Sequence, residues 1–199
     1  RHEAARSGRI DLRMGPERWE AWKATVRGKL TGLVAADSLV LVAAKDRHVV
    51  QALDSETGDP AWQFTAGGRI DSPPTIRGNA VLFGCADGYV YCLRLDDGEL
   101  AWRFRAAPLD LRTVSYGQLE SVWPVTGSVL CHDGRVYCSA GRSSFLDGGK
   151  ILYQLDPATG ELLARKKLYS RDPKTGREPE EVIEDTELPG ALPDVMVCD

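Results

Sequence analysis

The sequence predicts an all-β fold: a partial β-propeller of about three four-stranded antiparallel blades plus the start of another. Three observations predict it. One stretch is written three times, as VVQALDSETGDPAW (49–62), YVYCLRLDDGELAW (89–102) and ILYQLDPATGELLA (151–164). Gly58 to Gly98 and Trp62 to Trp102 are each 40 residues apart, and Gly98 to Gly160 is 62, so the third unit carries an insertion. A fixed period of this size marks a solenoid, propeller or array. The second strand of the first two units, LVLVAA (39–44) and AVLFGCA (80–86), is apolar on both alternations. A sandwich strand with one solvated face alternates, whereas a blade is covered by a neighbour on each side.

Taken in order, residues 1–29 form a polar, Arg-rich lead-in. Pro16 before Glu17–Glu20 suggests a short helix there, packed on the first repeat. Blade 1 (30–68) reads as LTGLVAA, LVLVAA, HVVQAL and PAWQF, and blade 2 (69–108) as PPTI, AVLFGCA, YVYCL and LAWRF. Blade 3 (109–168) reads as SVWPVTGSVL (121–130), RVYCSA, ILYQL and ELLARKKL, with insertions at 105–120 and 141–149. Gly, Asp and Asn turn residues punctuate these runs at short intervals, as in a chain of antiparallel strands. Residues 169–199 begin as a charged, Pro-containing linker, and LPGALPDVMV (188–197) starts another strand. The chain opens on Arg1 and stops at Asp199 as that strand begins, so it reads as a fragment.

The repeated stretch has a mechanical role. Asp54 and Asp156 can bond the backbone of their own turns, and Gly58, Gly98 and Gly160 allow the chain to reverse. Trp62 and Trp102, on the strand after the turn, are large flat groups suited to wedging between blades. Ala164 stands at that place in the third unit.

Composition bounds the function. The chain is 43% hydrophobic and 27% charged, which sets it apart from disordered chains. With 25 basic and 29 acidic side chains and no long run of either sign, the balance speaks against a surface binding nucleic acid or another polyanion, beyond a local patch. No apolar run reaches the length of a membrane span. Cys85/Cys92 and Cys131/Cys138 form two C-x₆-C pairs astride Asp-Gly turns, and Cys198 stands apart. Hairpin turns would place Cys85 opposite Val90 and Cys131 opposite Val136. Without C-x₂₋₄-C knuckles these thiols read as small buried hydrophobes, with disulfides as the alternative, rather than as zinc ligands. His2, His48 and His132 have no metal-ligand spacing, and neither a nucleophile elbow nor a phosphate loop is present. No catalytic or metal residue is assigned.

Binding residues on a repetitive scaffold concentrate in long loops. The two insertions therefore supply the candidates, foremost Gln118, Glu120, Arg142, Ser143 and Asp147, with Arg112, Tyr116 and Ser144 beside them.

The units resemble the pyrroloquinoline-quinone-type repeat family of β-propellers, whose blades close on an A-L-D-x-x-T-G-x-x-x-W motif. Ala52-Leu53-Asp54, Thr57-Gly58 and Trp62 match it in full. Leu93, Gly98 and Trp102 match with Arg94 in place of Asp, and Leu155-Asp156 with Thr159-Gly160 match without Trp. The resemblance covers residues 30–168. RHEAARSG, YGQLESVWPV and GRSSFLDGG are also similar to a bacterial subgroup of longer multi-blade proteins. It implies a periplasmic or exported chain and one of two functions. Some members are quinone-dependent alcohol or sugar dehydrogenases, which use a Glu/Asn calcium site, a catalytic Asp and, in the alcohol type, an adjacent Cys pair. Others share only the blades and act as scaffolds. No two cysteines here are adjacent. The expectation is a non-catalytic binding or protein-interaction module without a cofactor, partnered by another protein or by remaining blades. The alternative is a fragment of a dehydrogenase using pyrroloquinoline quinone and calcium. A fragment with two uncovered apolar blade faces is expected to self-associate.

Overall fold

Short strands paired in chain order organise the described residues into three four-stranded antiparallel sheets and two hairpins. The computed structural model describes residues 7–14, 19–170, 172, 174, 175 and 177. Strands β1 (Ser7–Met14) and β2 (Trp19–Arg27) form the first hairpin. Blade 1 is β3 (Val34–Ala36), β4 (Leu39–Ala44), β5 (Val49–Asp54) and β6 (Pro60–Thr65). Blade 2 is β7 (Thr75–Arg77), β8 (Ala80–Gly84), β9 (Tyr89–Arg94) and β10 (Leu100–Arg105). A second hairpin, β11 (Arg112–Ser115) and β12 (Gln118–Ser121), precedes blade 3, which is β13 (Leu130–His132), β14 (Arg135–Ala140), β15 (Lys150–Leu155) and β16 (Leu162–Leu168). Each blade pairs its strands in chain order. The first strands β3, β7 and β13 lie innermost and touch in sequence, while β6, β10 and β16 are the solvated outer strands.

The doubly apolar second strands do what their pattern demands. Leu41 and Ala43 of β4 share a cluster with Val81 and Phe83 of β8, while Val40, Val42 and Ala44 turn the other way onto Trp22 and Val26. Leu82 of β8 faces a third cluster with Val136 and Cys138 of β14. Burying side chains on both faces at about 25 cal/mol per Å² of apolar area makes the blade-to-blade contacts the main source of stability.

Tryptophan stacking fixes the spacing between blades. Trp22, Trp62 and Trp102 lie over Gly58, Gly98 and Gly160 of the following blade. Their indole N–H groups donate to the Ser55, Leu95 and Pro157 carbonyls at 2.8, 2.8 and 3.0 Å. A Cβ on Gly98 would lie 2.5 Å from the Trp62 ring, and its φ of 72° already belongs to glycine. Asp54 Oδ1 accepts the Glu56 and Thr57 N–H groups at 2.8 and 2.9 Å, and Asp156 Oδ1 does the same for Ala158 and Thr159. In the second unit Asp97 takes over, accepting the Glu99 N–H at 3.0 Å and pairing with Arg94.

Several expectations change. Residues 19–27 are strand rather than helix, and residues 15–18, with Pro16, lie outside the described residues. Trp22 precedes Trp62 by the same 40 residues that separate Trp62 from Trp102, so β1–β2 is the outer pair of a preceding blade. The first strand of blade 3 is only Leu130–His132, because 118–121 pair instead with 112–115. Gly84 rather than Cys85 opposes Val90, since the 85–88 turn holds one more residue; Cys131 does oppose Val136. All four described cysteines are free thiols, and Cys85, Cys92 and Cys138 are buried. The side of blade 3 away from blade 2 is mixed rather than apolar: Gln154 there donates to the Tyr137 hydroxyl at 2.9 Å beside Ser139. Asp172, in the expected linker, bonds the Lys174 and Thr175 N–H groups at 2.8 Å, a fourth copy of the turn. The expected strand at 188–197 and Cys198 lie outside the described residues.

Candidate binding face

Antiparallel pairing sorts the connections onto two ends of the blades. The turns between third and fourth strands, closed by Gly58, Gly98 and Gly160, lie at one end, and the links between second and third strands lie at the other with the links between blades. At that second end an open cleft of ≈ 730 Å³ draws on all three blades and on the β11–β12 hairpin.

Its walls come from equivalent positions of the repeat. The carbonyls of Lys29, Arg69 and Pro124 each accept an N–H from the second-to-third-strand link of their own blade, namely Lys45, Ala86 and Gly141, at 2.7, 2.8 and 3.0 Å. Two residues further on come Thr31, Asp71 and Thr126. Lys29, Arg69, Pro124, Asp71 and Thr126 all line the cleft.

The hairpin roofs the cleft with inverted polarity. Val114 pairs with Leu119, and Ser115 with Gln118, so adjacent pairs face opposite ways. Ser115, Gln118 and Glu120 face the cleft. Val114 and Leu119 face solvent at 75% and 55% exposure, joined by Tyr116 at the tip at 86%. Side-chain and backbone contacts hold it, among them the Ser121 N–H donated to the Ala86 carbonyl at 2.8 Å. Gln118 Nε2 donates to the Asp46 carbonyl at 3.1 Å while its Oε1 accepts from His48 Nε2 at 3.0 Å. The Tyr116 ring receives the Arg69 guanidinium 4.4 Å from its centre.

The charges are paired unevenly. Glu120 is 3% exposed, and its carboxylate lies 2.5 Å from Arg69 Nη1, which supplies its ionic partner. Burial nonetheless pushes the Glu120 carboxyl above its ordinary value, against the pull of Arg69. Arg69 also grips Asp71 through Nε at 2.8 Å. Arg142 binds Asp147 at 2.5 Å.

Of the residues singled out in the sequence, Tyr116, Gln118, Glu120 and Arg142 meet in this cleft. Asp147 enters only as the partner of Arg142, and its carbonyl accepts the Trp123 indole N–H at 2.9 Å. Ser143 is turned inward, its hydroxyl accepting the Phe145 N–H at 3.1 Å, and Ser144 bonds Ser170. Sequence reasoning missed Lys29, Lys45, Arg69 and Asp71. The 40-residue interval from Lys29 to Arg69, the same as that of the tryptophans, was the signal available. A second groove of ≈ 510 Å³ lies between β7 and β13, next to Cys131 and His132.

Residues 7–186 match the family model described as outer membrane protein assembly factor BamB. The chain is 28% identical over 163 residues to BamB of Legionella pneumophila, covering 68% of this chain and 42% of that protein. BamB of Burkholderia pseudomallei is 28% identical over 106 residues, 52% of this chain and 27% of that one. The chain thus spans less than half the length of these curated relatives. Among solved structures, BamB from Moraxella catarrhalis superposes with a TM-score of 0.61 at 20% identity, covering 82% of this chain and 44% of that one. Quinohemoprotein alcohol dehydrogenase from Comamonas testosteroni superposes at 0.56 with 21% identity, covering 70% and 21%. At these identities the likeness to solved structures speaks for the fold.

Proposed function

Because this chain belongs to the β-propeller family of the outer membrane protein assembly factor BamB, we propose that it is a non-catalytic scaffold, part of an exported protein that works with other proteins at the outer membrane. The observation that carries this reading is the inverted β11–β12 hairpin. It spends its polar side chains on the cleft and offers Val114, Leu119 and Tyr116 to solvent. Exposed apolar side chains grouped on an anchored insertion suit the docking of another protein. Leu109 and Leu111, in the loop leading into it, are exposed as well. No helix among the described residues is long and apolar enough to cross a membrane.

A quinone–calcium pair fits this cleft poorly. Calcium asks for six to eight oxygen ligands, carboxylates among them. The Glu120 and Asp71 carboxylates that line it are both committed to Arg69. The test is a dye-linked alcohol and sugar oxidation assay on the full-length protein with added pyrroloquinoline quinone and calcium. The scaffold reading expects no turnover above buffer. Saturable, quinone-dependent turnover overturns it.

A further inference from the structure

We propose that the blade 1 side of the cleft, between Lys29 and Lys45, receives a carboxylate carried on an extended acidic segment of a partner protein. The proposal rests on the reading of this loop face as the binding face. Its basis is a comparison of the same repeat position in two blades. In blade 2, Arg69 is neutralised twice, by Asp71 two residues on and by Glu120 arriving on a β-strand. In blade 1 the equivalent cation is Lys29, and the residue two positions on is Thr31. Lys45 adds a second positive charge beside it, its N–H bonded to the Lys29 carbonyl at 2.7 Å. Neither lysine has a carboxylate partner among the described residues. The nearest candidate, Asp46, already accepts the Lys29 backbone N–H at 2.7 Å.

The two lysines bring two positive charges to one side of a cleft whose other cations are paired. The geometry of blade 2 shows what completes such a position: a carboxylate delivered edge-on by a strand. A strand from outside can do for Lys29 what β12 does for Arg69. The cleft is open and spans three blades, which suits an extended segment better than an enclosed small molecule.

The experiment is a fluorescence-anisotropy titration of the whole chain with a fluorescein-labelled peptide alternating Thr, Glu and Val, and with a control carrying Lys for Glu. We expect saturable binding of the Glu peptide alone, weakening steeply between about 0.05 and 0.3 M salt. K29E/K45E should weaken it by at least about tenfold with unchanged thermal unfolding. V114D/L119D, on the opposite face of the hairpin, should leave it intact. No saturable binding up to about 1 mM peptide overturns the proposal. So does binding that K29E/K45E leaves unchanged. Peptide binding lost in V114D/L119D but kept in K29E/K45E overturns this inference and leaves the docking role of the hairpin standing.

Discussion

Trp102 of β10 lies over Gly160 of the next blade, and its indole N–H donates to the Pro157 carbonyl at 3.0 Å. Gly160 has φ 72°, and a Cβ there would lie 2.5 Å from the indole. Gly160→Ala therefore strains the backbone and lifts the tryptophan at once. The expected loss is about 2–4 kcal/mol in urea unfolding, well above that of an exposed Gly→Ala change.

Trp22 makes the same contact from the first hairpin, over Gly58, and is buried against Val40, Val42 and Leu53. Trp22→Ala should cost about 3–5 kcal/mol. Hydrogen exchange should show the loss first in blade 1, with blade 3 protected longest.

The turn aspartates and Glu120 predict opposite pH dependences. Backbone N–H bonds hold the Asp54, Asp156 and Asp172 carboxyls below the ordinary aspartate value. Their contribution is full above that value and fades as pH falls through it toward the lower folded values. All three are exposed, so the effect is modest. Burial raises Glu120 above 4.5, so its contribution is present while it is protonated and is lost as pH rises from 4.5 through the folded value. In pH-dependent urea unfolding, Glu120→Gln should remove that second decline and leave the acid limb unchanged.

Gln118 ties the hairpin to blade 1 through His48 and the Asp46 carbonyl. Gln118→Ala should speed hydrogen exchange across 112–121 several-fold while leaving the global unfolding midpoint in place.

Burial of the thiols sets their reactivity. Cys138 is pushed up to about 12 and Cys92 to about 11, and Cys85 is also raised well above its ordinary value. Cys131 is the half-buried one. Among the four described cysteines, a thiol reagent at neutral pH should label Cys131 first and reach Cys85, Cys92 and Cys138 only on unfolding.

The propeller was legible because its signals are local: an Asp/Gly turn, a following Trp and a doubly apolar second strand recur in register. What escaped was set by distance along the chain or by the absence of one motif element. Trp22 stood in polar sequence with no Asp/Gly turn before it, so only its 40-residue interval to Trp62 marked it. The 105–120 insertion read as a loop because β11 and β12 are four residues each, too short to show alternation. The cleft was half visible. Gln118, Glu120 and Arg142 lie in insertions, whereas Arg69 and Lys29 sit in ordinary links between blades and gain meaning only when the repeat closes around the axis.

The account turns on the hairpin as a docking surface. A photo-crosslinking amino acid placed at Leu119 of the full-length protein, in its own bacterium, tests it most directly. The account predicts a discrete adduct with a protein of outer-membrane assembly, lost in a Val114→Asp background and absent when the probe sits at Gln63 on outer strand β6. No adduct at Leu119, or equal adducts from Leu119 and Gln63, would contradict it.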